Sequence, residues 1–158
     1  MINMIKIFFI LMLFVSSQSY AKNAIDGTLI ETLQCFKNGV IDTIEIKHIP
    51  SYILTRSNVT SNRLEQMYNY KVTIRNFFDT PYGFKITSSV NKTRIKKSTF
   101  TGDLRWGILL YDNKNIVCSV YFDSTGSYGE INGEKYYFID NKILKWIKRN
   151  ISFITMNE

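Results

Sequence analysis

The strongest constraint on what this chain can fold into lies in its second half, where apolar residues recur with a period of two. Leu104, Trp106, Ile108 and Leu110 fall on one side of a strand, and Ile116, Cys118, Val120 and Phe122 fall on the matching side of a second. A helix would scatter these side chains around its circumference, whereas a strand gathers them on one face. The turn residues agree with a strand reading. Asp112-Asn113-Lys114-Asn115 separates the two runs, Ser124-Thr125-Gly126 ends the second, and Asn132-Gly133 sits within Tyr128–Phe138. Asn-Gly suits a two-residue hairpin, in which both central residues need positive φ. These features predict an antiparallel β-meander.

Other elements flank it. Thr28-Leu29-Ile30-Glu31 has the form of a capping box, and Leu29, Ile30, Leu33 and Phe36 follow at helical spacing as far as Gly39. Val40–Ile49 alternates, with Ile44, Ile46 and His48 against Thr43, Glu45 and Lys47, and Pro50 ends the strand. Tyr70, Val72 and Ile74 predict another strand. Asn62-Arg63-Leu64-Glu65 reads as the start of a short helix with Leu64, Met67 and Tyr68 inward. Asp79-Thr80-Pro81 fits a helix entrance, yet Gly83 and the Ser/Thr-rich stretch behind it point to irregular structure over 84–100. Asp140 is expected to cap a last helix whose Ile143, Leu144 and Ile147 face the sheet. The fold class is α+β, an antiparallel β-meander flanked by an N-terminal and a C-terminal helix. With 158 residues and 45% apolar content, the chain has material for one core and one domain.

The N-terminus reads as a secretory signal. Lys6 supplies a positive start, Ile7–Val15 is an unbroken apolar run, and Ser19-Tyr20-Ala21 is a small-x-small cleavage site. The run is less than half of the roughly 20 residues that a helix needs to cross a bilayer. Residues 1–21 are therefore expected to be removed, leaving a single globular domain over 22–158. Export decides the cysteine chemistry: Cys35 and Cys118 are expected to form a disulfide in an oxidising compartment. Composition weighted toward Ile, Lys and Asn suggests an AT-rich Gram-negative genome, which makes the periplasm the expected location and the extracellular medium the second choice.

Candidate chemistry is sparse. His48 is the only histidine that could serve as the base of a nucleophilic site, and its place on an apolar strand face marks it as structural. One His and two distant Cys do not close a metal shell, and Asp123, Glu130, Glu134 and Asp140 lack the spacing of a calcium loop. No metal or other cofactor is expected. A carboxylate pair would suffice for a cell-wall hydrolase, with Glu31, Glu45, Glu65, Glu130 and Glu134 available and Glu130 or Glu134 the first to test. That is the alternative reading, since no constellation singles out a pair.

The basic residues are more suggestive. Lys85, Lys92, Arg94, Lys96, Lys97 and Arg105 form one patch with only Asp103 opposing them, and Lys142, Lys145 and Arg149 share a face of the last helix. Tyr111 and Tyr121 lie opposite the core residues of the meander, toward solvent or a second layer. Tyr among Lys and Arg is the composition of a protein-binding surface. The expected partner is an acidic envelope or toxin protein, with anionic lipid or lipopolysaccharide as the alternative, and export disfavours nucleic acid. Asp103–Trp146, with its Arg-Trp-Gly and Tyr-Phe-Asp strands and Asn-Gly hairpin, resembles small envelope proteins of Gram-negative bacteria. The resemblance implies no active residue. The sequence thus points to a small non-enzymatic binding factor, such as an immunity protein or inhibitor against an envelope-directed toxin or hydrolase, or an accessory subunit of a pilus or secretion system.

Overall fold

A computed structural model describes residues 27–151. The expected signal segment 1–21 and its cleavage site lie outside the described residues. Five α-helices and eight strands follow in the order β1 Gly27–Thr28, α1 Leu29–Thr32, α2 Gln34–Asn38, β2 Thr43–His48, α3 Ser61–Gln66, β3 Tyr70–Arg75, α4 Pro81–Lys92, β4 Arg94–Lys97, β5 Leu104–Asp112, β6 Asn115–Asp123, β7 Tyr128–Ile131, β8 Glu134–Asp140 and α5 Lys142–Asn150. The strands form one sheet in the order β1-β4-β8-β7-β6-β5-β2-β3, antiparallel throughout. The predicted meander β5–β8 is its centre. Its turns have the anticipated geometry, with positive φ at Asn113, Lys114, Asn132 and Gly133.

α1, α2, α4 and α5 close one face. Leu29, Leu33 and Phe36 from α1, α2 and their junction pack with Ile86 and Val90 of α4 and Ile143, Leu144 and Ile147 of α5 over Ile44, Trp106, Ile108, Val120 and Phe122 of the sheet. Each large apolar side chain removed from water contributes about 1.5–3 kcal/mol, so this layer carries the fold. The Glu31 carboxylate accepts from the Thr28 N–H at 3.0 Å, as a capping box requires, and Gly39 ends α2 in the left-handed region at φ 64°. The Cys35–Cys118 disulfide is formed and ties α2 to the central strand β6.

Residues 84–100 depart from expectation: they hold most of α4, the longest helix, and all of β4. Thr80 caps α4 by accepting from the Gly83 N–H at 3.2 Å, with Pro81 in the first turn. Gly83 does not break the helix, because the approach of Phe77 requires it: a Cβ there would collide with the Phe77 carbonyl oxygen. The Ser/Thr hydroxyls bond back to carbonyls four residues earlier, Thr87 to Gly83, Ser89 to Lys85 and Thr93 to Ser89, at 2.8–2.9 Å. They are thereby satisfied within the helix instead of competing with it.

Smaller corrections share one cause, the limits of local pattern. Asn141, not Asp140, caps α5, accepting from the Leu144 N–H at 3.0 Å. Asp140 instead pairs with Lys142 and Lys145. Met67 and Tyr68 follow α3 but remain exposed, since α3 spans a single layer of which only Leu64 is buried. Ile116 is 48% exposed at the end of the β5–β6 hairpin, beyond the reach of the helices. On the opposite sheet face, residues 49–66, α3 among them, form a second, smaller layer in which Ile49, Val59 and Leu64 bury Leu104, Leu109 and Tyr121. Leu104 thus leaves the face of Trp106, Ile108 and Leu110 expected for it, where the strand register shifts between Leu104 and Trp106.

Candidate partner-binding surface

The two predicted basic patches meet in part on the helical face. Thr93, at the end of α4, accepts from the first N–H groups of α5, those of Lys142 and Ile143, at 3.2 and 3.3 Å. That clamp sets α4 beside α5 and opens a groove between them, with a volume of about 390 Å³, lined by Ser89, Lys142, Lys145, Trp146, Arg149 and Asn150. Lys85 and Lys92 stand four residues before and three after Ser89, on the same stripe of α4. Three cations, Lys142, Lys145 and Arg149, line the groove. Neither helix contains an acidic residue. Asp140, at the end of β8, lies 2.7 Å from Lys142 and 2.9 Å from Lys145, and these ammonium groups hold its carboxyl below the usual carboxylate value. The helix dipole favours the cations near the α5 C-terminus. At the same end Tyr82 packs edge-on against Trp146, their ring centres 6.1 Å apart.

The remaining cations of the first patch go elsewhere. Arg94 and Lys96 are exposed on β4, close to the opposite sheet edge. Lys97 pairs with Glu134 and lies over the Tyr136 ring. Arg105 belongs to no surface. It is 7% exposed, its Nε and Nη2 donate to Asp103 Oδ2 at 2.7 and 2.5 Å, and its Nη1 donates to the Ile53 carbonyl at 2.9 Å. A guanidinium can satisfy several carbonyls at once, so the residue staples the 49–59 segment to β5.

Tyr111 and Tyr121 are likewise placed inside, not offered to a partner. Tyr121 is 3% exposed and donates to Glu65 of α3, and half-buried Tyr111 donates to Glu45 at 3.1 Å. Burial, followed by the neighbouring carboxylates, pushes the Tyr111 phenol up to about 12 and Tyr121 higher. The second layer foreseen for these tyrosines is residues 49–66. Phe100, Tyr128 and Tyr137 form a run of rings whose centres are 5.1 and 5.2 Å apart, with Phe100 and Tyr137 exposed.

His48 is fully buried, with Nδ1 3.1 Å from the Arg105 carbonyl oxygen and the ring stacked 3.6 Å from Trp106. Of the carboxylates, Glu31 caps α1, Glu134 is paired with Lys97, and Glu45 and Glu65 anchor tyrosines. Asp123 accepts from Thr125, Gly126 and Ser127 and so organises its turn. Trp146, which lines the groove, and Tyr82, which packs against it, have no assigned role in the sequence, and the Trp at position i+4 from Lys142 on a cationic helix face was the available signal. Compared with known proteins, the chain matches no family model, no curated protein and no solved structure.

Proposed function

We propose that this protein is a small exported, non-enzymatic factor that binds an acidic protein partner in the periplasm through the groove between α4 and α5. The observation that carries the reading is the excess of positive charge. Lys142, Lys145 and Arg149 line one groove, and Lys85 and Lys92 stand on the α4 stripe that carries Ser89. Neither helix has a carboxylate, and Asp140 pairs with Lys142 and Lys145. A surface of one sign steers an oppositely charged partner and raises its rate of association, and the effect weakens as salt shortens the Debye length. Trp146 and Tyr82 add apolar area beside the charge, the pairing that interface hot spots favour. An inhibitor or immunity protein against an acidic envelope-directed toxin or hydrolase fits this surface, as does an accessory subunit docking on an acidic assembly.

The test is capture from envelope extract on oxidised 22–158, beside the double variant Lys142→Glu/Arg149→Glu, at low and high salt. One acidic protein retained by the native chain at low salt, and lost both at high salt and on the variant, is the expected result. Equal retention by the variant would remove the groove from the interface. Binding to anionic vesicles with no protein retained would transfer the surface to the membrane.

A further inference from the structure

A second surface lies on the sheet face away from the α4–α5 groove, where a loop leads from β2 into α3. Leu54 in that loop is 94% exposed, and Tyr52, Met67 and Tyr68 are exposed as well. Leu54, Met67 and Tyr68 border one recess of about 590 Å³, backed by Ile49, Ile53 and Val59. The exposure of Leu54 is held from inside. The buried Arg105 guanidinium donates to the residues on either side of it, to the Ile53 carbonyl at 2.9 Å and to Thr55 Oγ1 at 3.4 Å. Behind the same loop, Asp103 accepts from the Val59 N–H at 2.6 Å. An apolar side chain kept in water adds nothing to the stability of the fold, and a cluster of them marks a surface that something covers.

Charge and shape select the occupant. Arg56 and Arg63 line the same recess. Arg63 Nη1 donates to the neutral Ser57 hydroxyl at 2.7 Å, and neither guanidinium pairs with a carboxylate among the described residues. The carboxylates that flank the second layer are already engaged: Glu65 by Tyr121, Asp103 by Arg105, and Glu45 by Lys71 and Tyr111. A second copy set on this patch by a two-fold axis would bring guanidinium against guanidinium, with none of those carboxylates left to receive them. Any protein partner must also offer a hole shaped for Leu54, whereas fluid acyl chains admit a protruding side chain without one. Arg beside exposed Leu, Met and Tyr is the composition of an interfacial anchor, in which Tyr sits at headgroup level and Arg binds phosphate. We propose that residues 52–68 dock the protein on a bilayer containing anionic phospholipid. Leu54 and Met67 enter the acyl boundary, and Arg56 and Arg63 bind headgroup phosphates. The α4–α5 groove, across the sheet, then faces away from the bilayer and stays open to a protein. This docking does not rest on the cationic-groove reading.

The probe is a phosphatidylcholine vesicle with about one third phosphatidylglycerol, co-sedimented with oxidised 22–158 at about 0.15 M salt, where the Debye length is about 8 Å. Leu54→Ser should weaken binding by about tenfold or more, and Leu54→Trp should restore it, because an indole suits the interface. Arg56→Gln should weaken it by about fivefold, and only on vesicles that contain the anionic lipid. Leu54 and Arg56 are exposed, so these variants should keep the native melting temperature. Lys142→Glu/Arg149→Glu, on the other side of the sheet, should bind within about twofold of the native chain. Absence of native binding overturns the proposal, as does native-like binding by Leu54→Ser. Loss on Lys142→Glu/Arg149→Glu alone would assign the bilayer to the groove and overturn it too. So would a native dimer in light scattering that Leu54→Ser dissociates, which would give the patch to a second copy.

Discussion

The two faces of the sheet are covered by different means. Among the described residues, the helical face gathers twenty-four buried residues into one cluster, joined across by Cys35–Cys118. The opposite face gathers six, under a segment with only one short helix. What holds that segment is largely polar. Arg105 donates to Ile53, Asp103 accepts from the Val59 N–H at 2.6 Å, Lys47 donates to the Glu65 carbonyl at 2.9 Å, and Tyr121 donates to the Glu65 carboxylate. A layer with little apolar area to bury cannot offset the entropy of ordering eighteen or so residues by hydrophobicity alone, and buried hydrogen bonds to charged groups supply what is missing.

The comparison can be broken from its strong side first. The disulfide closes a loop across a separation of 83 residues, for which chain entropy gives about 4–5 kcal/mol of stabilisation. Reduction, or Cys35→Ala with Cys118→Ala, should therefore lower the melting temperature of the whole domain in one cooperative transition. An unchanged melting temperature in dithiothreitol would reject this account.

Arg105→Ala comes next. It removes the donor to Ile53 and leaves Asp103 partly buried without its partner, a loss of about 2–3 kcal/mol. The expected signature is local: amide exchange speeds up over 49–66 while β5–β8 keeps its protection. Uniform acceleration would show that the two layers open together.

The smallest effect sharpens the comparison by pH. Tyr121→Phe deletes one buried hydrogen bond, about 1 kcal/mol. Tyr111 and Tyr121 both hold their protons more tightly folded than unfolded. Their contribution is complete below the unfolded value of 10.0 and is lost as pH rises through about 12. Urea unfolding between neutral pH and this range should show stability falling in the native chain and falling less in Tyr121→Phe. Parallel curves would mean that Tyr121 ionises equally in both states.

Much of this was legible beforehand where the signal was local. The period of two in β5 and β6, the Asn-Gly turn, the capping box at Thr28 and the pairing of the two cysteines each depend on neighbours in sequence or on composition. α4 was not legible, because its Gly83 is set by contact with Phe77 and its Ser/Thr hydroxyls turn inward only once the helix exists. The partner surface was legible as charge but not as place. Lys142, Lys145 and Arg149 could be assigned to one helix face from spacing, whereas Arg105 looked identical to its exposed neighbours.

By itself, then, the sequence determined an antiparallel α+β domain with a disulfide and a surplus of cations, because periodicity, turn chemistry and charge are properties of residues and their spacing. Tertiary structure alone decided that Arg105 and Tyr121 point into a second layer, that α4 lies beside the last helix across one groove, and that β3 is the last strand of the sheet among the described residues. Those outcomes depend on which segments, remote in sequence, supply the carbonyls, carboxylates and neighbouring strands, and no local pattern encodes that choice.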